Sequence, residues 1–154
     1  MKSKATVGRV ATLFSIGFVL FLLTPKSGSA GFSLPQPQLV FAGTEAYESG
    51  GKQWMRYKLS VCNRSEYPDT MFEAAPDLPP CGRNTKASRS WVDIYARDGK
   101  RLYGFCSFSK SDDLKGLWFN LPKAETPPDF VYIVINDRKL NVILKSNLAS
   151  TSTP

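Results

Sequence analysis

The side chains that most often carry out chemistry are scarce in this chain, and the scarcity is selective. There is no histidine among its 154 residues. That excludes Ser-His-Asp and Cys-His catalysis, the commonest general base at neutral pH and the usual zinc sites. Carboxylates are left to supply any acid–base chemistry. Asp112 and Asp113 are adjacent, but within Ser111-Asp112-Asp113-Leu114 they read as turn caps and solvated charge. No acidic stretch alternates as a calcium loop does. A glycosidase reading would require two carboxylates about 5–10 Å apart, and no spacing in the chain specifies such a pair. The expectation is a protein that is not an enzyme and needs no cofactor or metal.

Cys62, Cys81 and Cys106 are the remaining reactive groups. In an oxidising compartment three thiols give one disulfide and one left over. Cys81 lies in Pro79-Pro80-Cys81-Gly82, just before a strand-like segment, and Cys106 lies in that segment's hairpin partner. A Cys81–Cys106 bridge would close a loop of about 25 residues and add on the order of 3 kcal/mol by chain entropy. Cys62–Cys81 is the alternative, since both flank the long connection.

The richest surface chemistry falls in that hairpin. Ser90–Ala96 and Leu102–Phe108 are joined through Asp98-Gly99, a hairpin signal. A two-residue turn would pair Arg97 with Lys100. A three-residue turn, with Gly99 in the left-handed bulge position, pairs Ala96 with Lys100. The bulged register puts Val92, Ile94, Ala96, Leu102, Gly104, Cys106 and Phe108 on one face. Trp91, Asp93, Tyr95, Arg101, Tyr103, Phe105 and Ser107 form the other, whereas the alternative buries Asp93 with Leu102 or Arg101 with Val92. Rings interleaved with charge suit a sugar, a peptide or a partner protein. Trp91, Asp93, Tyr95, Arg101, Tyr103 and Phe105 are therefore the candidate binding residues. The alternative use of this face is as a seat for the 63–88 loop. Trp54 and Trp118 read as packing residues. Asn63-Arg64-Ser65 matches a glycosylation acceptor, relevant only in a eukaryotic source.

The frame that positions these residues reads as all-β. Pro35-Gln36-Pro37 leads into Leu39–Ala42, and Glu48–Lys52 is a turn. Met55, Tyr57, Leu59 and Val61 alternate with Arg56, Lys58 and Ser60, the period of a half-buried strand. Residues 63–88 carry no strand pattern. Ser109–Lys115 reads as one helical turn, with Ser109 and Asp112 at capping-box spacing. Leu117–Leu121 is a short strand, and Phe130–Ile135 is apolar throughout, as a strand covered on both faces is. Asp137-Arg138-Lys139 turns into Leu140–Lys145, and 150–154 is a polar, flexible tail. Seven strands at this spacing predict an antiparallel β-sandwich over 31–149 with a long 63–88 loop.

Residues 1–30 read as a secretory signal. Lys2, Lys4 and Arg9 precede an apolar run from Val10 to Leu23, then Pro25 and Gly28-Ser29-Ala30. The run is shorter than the roughly twenty residues a spanning helix needs; an uncleaved anchor is the weaker alternative. No cysteine follows the small residues, so a lipoprotein is not indicated. Cleavage removes four of the twenty basic residues and none of the thirteen acids, taking the net charge from +7 to +3. The remaining Lys and Arg are scattered, without the basic stripe of a nucleic-acid binder. The expected setting is secreted or periplasmic, with a protein or glycan partner, no nucleic acid, and no stable membrane insertion after cleavage.

Pro76–Gly82, Ser90–Tyr95, Tyr103–Phe108, Leu117–Phe119 and Val131–Arg138 together resemble segments of small secreted bacterial β-sandwich proteins of unknown function, over most of 38–148. The strand order resembles fibronectin type III or immunoglobulin-like sandwiches. The resemblance implies cysteines matching Cys81 and Cys106, with Cys62 particular to this chain, and it brings no catalytic or ligand residues.

Overall fold

Alternation and turn chemistry place the strands. The computed structural model describes residues 33–72, 89–106 and 108–152. The proposed signal and most of the 63–88 loop, including Cys81, lie outside the described residues. In chain order the strands are β1 (Leu39–Ser49), β2 (Lys52–Val61), β3 (Ser90–Ala96), β4 (Arg101–Phe105), β5 (Leu117–Pro122), β6 (Phe130–Asp137), β7 (Val142–Lys145) and β8 (Ala149–Ser150). They form two antiparallel sheets, β1-β2-β5 and β4-β3-β6-β7, with β8 also pairing β6.

The predicted all-β class holds, and the described residues form eight strands rather than seven. Two positive-φ glycines, Gly50 and Gly51, make the β1–β2 turn where the sequence places it. β1 runs past the expected Ala42 because a bulge between Phe41 and Gly43 absorbs one residue and pairing resumes. The polar end is tied down further than a tail from residue 150 implies. Ser150 pairs Phe130, and buried Thr151 donates its N–H to the carbonyl of Asp129 at 3.0 Å.

One core joins the inner faces of both sheets. Leu39, Tyr57, Leu59, Val61, Leu117 and Phe119 come from the smaller sheet, and Val92, Ile94, Val131, Ile133 and Ile135 from the larger. Tyr57 stacks on Phe119 at 4.9 Å and 8°. The period-two reading of β2 is realised: Tyr57, Leu59 and Val61 are buried and Lys58 is exposed. β6 departs from expectation. Val131, Ile133 and Ile135 are buried, but Tyr132 and Val134 are only half-buried, so one face of this central strand is covered and the other is partly open.

Short 3-10 turns at Arg64–Glu66, Asp69–Met71 and Ser111–Lys115 close one end. Asp113, not Asp112, caps the last of these, accepting from the N–H and hydroxyl of Ser109 and the N–H of Lys110. Asp112 instead pairs Arg64 at 2.9 Å and Lys115 at 2.5 Å. Asp69 accepts from the N–H and hydroxyl of Ser111.

Hydrogen bonds from Lys115 and Arg64 hold the Asp112 carboxyl down at about 2. Those from Ser111 lower Asp69, and at Asp113 the bonds from Ser109 and Lys110 outweigh the opposing effect of partial burial. Folded values below the unfolded one, about 4, make this stabilisation complete above that pH and lost as pH falls toward 2. Urea midpoints are expected to drop between pH 5 and pH 2.5, with a shallower drop in Asp112→Asn.

Candidate functional site

The hairpin explains both what the sequence reveals and what it hides. Gly99 has φ of +90°, its N–H donates to the carbonyl of Ala96, and Ala96 N–H donates to the carbonyl of Lys100, both at 2.9 Å. This is the bulged turn expected from Asp98-Gly99. Tyr95 then pairs Arg101, but Ile94 pairs Tyr103 rather than Leu102. A second irregularity at Leu102 therefore flips every later residue of β4. Gly104 comes opposite Asp93, and Phe105 opposite Val92.

Of the six candidate binding residues, Trp91, Asp93, Tyr95 and Arg101 stay together, and Tyr103 and Phe105 leave them. These two rings pack against the core and meet Trp118, Tyr103 at 4.4 Å and Phe105 at 5.5 Å and 89°. Phe105 also lies 5.8 Å from Phe108. They close the seam between β4 and β5. The expected core face loses Gly104 in exchange, while Cys106 and Phe108 are buried as expected.

The outward face of the larger sheet is reassembled from strands that sequence reasoning left out. Tyr95 lies beside Tyr132, and their rings stack at 5.4 Å and 16°. Trp91 pairs Asn136, which pairs Ile143; Asp93 pairs Val134, which pairs Lys145. Lys145 Nζ stands 4.1 Å over the Tyr132 ring, and the Arg138 guanidinium 5.3 Å over Trp91. Ile143 is 74% exposed. The available signal was the alternation of Tyr132, Val134 and Asn136 against Val131, Ile133 and Ile135, masked because five of these six are apolar or aromatic.

Asp93 organises this face rather than serving as a free acid. It is buried, accepts from Trp91 Nε1 at 3.1 Å, and pairs Arg101 at 2.7 Å. Gly104 is what makes room: a Cβ there would lie inside the Arg101 guanidinium and 2.6 Å from Asp93 Oδ1. Burial, followed by the Asp93 charge, pushes the Tyr95 phenol up, so it is neutral at physiological pH. A depression of about 210 Å³ bordered by Trp91, Asn136, Arg138 and Ile143 continues the face at one end.

Cys62 is exposed with a free thiol, and Cys106 is buried and engaged. Among the described residues no group of three or more Cys, Asp or Glu side chains is placed to hold a metal ion. No described helix is long and apolar enough to cross a membrane. The arrangement provides two stacked phenols, an indole and an exposed aliphatic side chain, with cations over two of the rings. No family model, curated protein or solved structure matches this chain.

Proposed function

We propose that this chain is a secreted or periplasmic, non-enzymatic β-sandwich module that binds a protein or glycan through the outward face of its larger sheet. The observation that carries the reading is the half-buried Tyr95–Tyr132 stack, flanked by Lys145 and by the Asp93–Arg101 pair. Rings with one accessible polar edge contribute large contact area for little ordering cost.

The finer architecture proposed is fibronectin type III-like. In the constant-type immunoglobulin arrangement the fourth strand joins the sheet of the first, second and fifth. Here β4 pairs β3 instead, giving the orders β1-β2-β5 and β4-β3-β6-β7. The non-enzymatic reading rests on the sequence, which holds no histidine. Cleavage after Ala30 and a Cys81–Cys106 bridge belong to the same proposal, with Cys62 left free.

The test is a glycan array together with cross-linking capture from extracytoplasmic fractions, using wild type and Tyr132→Ala. A specific partner is expected whose affinity falls about tenfold or more in the variant, the loss that a central aromatic contact carries. Partners bound equally by both proteins would reject the face.

A further inference from the structure

The outward face of the smaller sheet has a different chemistry. On it, Glu45 is the residue directly across from Arg56. Its carboxylate does not pair there; it goes to Lys58, at 2.8 Å. Arg56 lies instead against two rings, 5.0 Å from the centroid of Tyr47 and 4.7 Å from that of Trp118. Its Nε donates to Asn120 Oδ1 at 3.3 Å, and no described carboxylate forms an ion pair with it. Its two terminal nitrogens form a fork held against the rings, with the Glu45 charge acting on it without an ion-pair contact. Such a fork matches a carboxylate in bidentate geometry, and rings that fix it reduce the entropy lost on binding.

The groove beside it has a volume of about 290 Å³. Arg56, Lys58 and Lys115 line it against one acid, Glu45, while Ala42, Gly116 and Leu117 contribute small or apolar surface. Lys115 is 60% exposed even while paired with Asp112. The half-buried rings of Tyr47 and Trp54 continue the same face, since these two residues pair across β1 and β2.

We infer that this groove binds the carboxylate of an acidic sugar, with Arg56 as the principal contact. The groove is larger than a bare oxyanion needs, and neighbouring rings suit the apolar faces of adjoining sugars. An acidic peptide would offer the carboxylate without a sugar's apolar ring face for Tyr47 and Trp54, and poly-glutamate tests it as the competing occupant.

The experiment is calorimetric titration of the whole protein with a galacturonate oligosaccharide, its neutral galactose counterpart and poly-glutamate. The acidic oligosaccharide is expected to bind, to weaken as salt rises, and to lose about tenfold or more in Arg56→Gln, the weight of a charge-assisted bidentate pair. Arg56→Lys should recover only part of that. Tyr132→Ala should bind the uronate as wild type does, which separates this site from the face on the larger sheet. If Arg56→Gln does not fold, the folded Lys58→Gln/Lys115→Gln protein must show the loss. No uronate binding by the folded wild type, equal binding of the neutral sugar, an unchanged affinity in the Arg56 or paired-lysine variant, or equal binding of poly-glutamate would each overturn the inference.

Discussion

Asp137→Ala is expected to lower the unfolding free energy by about 3–5 kcal/mol, the cost of breaking a buried ion pair from one side. The Asp137 side chain is 0% exposed and its partner Arg89 is 11% exposed, with 3.1 Å between Asp137 Oδ2 and Arg89 Nη2. The same carboxylate accepts the N–H groups of Lys139 at 2.9 Å and Leu140 at 3.1 Å, and so fixes the turn between β6 and β7. Arg89 also donates to the carbonyl of Thr70, and Ser90 to that of Met71, tying the Asp69–Met71 turn to this corner. Alanine would take the carboxylate away from a largely buried guanidinium and from two turn donors. Asp137→Asn keeps an acceptor for the turn but not the charge, so it should lose less. Urea unfolding of the three proteins at neutral pH measures the order. The functional consequence would fall on Trp91, Arg138 and Ile143, which that turn positions.

Gly104→Ala is expected to cost about 2 kcal/mol, less than a fully buried pair because Arg101 is 38% exposed. The added Cβ displaces the guanidinium and leaves Asp93, 10% exposed at its side chain, with the Trp91 indole as its remaining partner among the contacts described. The cause is separable by a double-mutant cycle. Once Arg101→Ala has removed the guanidinium, Gly104→Ala should add little. Full additivity in chemical denaturation would mean that Gly104 matters for another reason.

The two positions show where sequence reasoning reached and where it stopped. Asp98-Gly99 specified the first bulge, because a left-handed residue in a three-residue turn has a composition signature. The shift at Leu102 has none. Leu102, Gly104 and Cys106 alternate with Tyr103 and Phe105 so regularly that an unbroken strand looks self-consistent. A single extra residue reverses the faces. Gly104 then looks like a neutral gap on the core side, when it is the space that the Asp93–Arg101 pair occupies. Tyr103 and Phe105 turn to the other face for the same reason, and an aromatic ring suits a seam as well as a surface.

Other elements were legible to different depths. The core residues of β2 and β3 could be read from period two, since each has one consistently apolar face. β6 could not, because Tyr132 and Val134 are large on the side that is only partly covered. The pairing of β3 with β6, which creates the Tyr95–Tyr132 stack, joins residues nearly forty positions apart and has no local signal. Arg56 stood in the sequence as an ordinary outward residue of an alternating strand. Its setting depends on Glu45 choosing Lys58, a choice made across strands.

The proposed binding face is Tyr95 with Tyr132, whereas Tyr103 packs in the seam. Once a partner has been identified, its affinity should be measured for Tyr95→Ala/Tyr132→Ala and for Tyr103→Ala, each confirmed as folded. The first protein is expected to lose about tenfold or more in affinity. Tyr103→Ala should keep near-native affinity while unfolding at lower urea. The reverse pattern, with binding lost on removing Tyr103 and retained without Tyr95 and Tyr132, would contradict it.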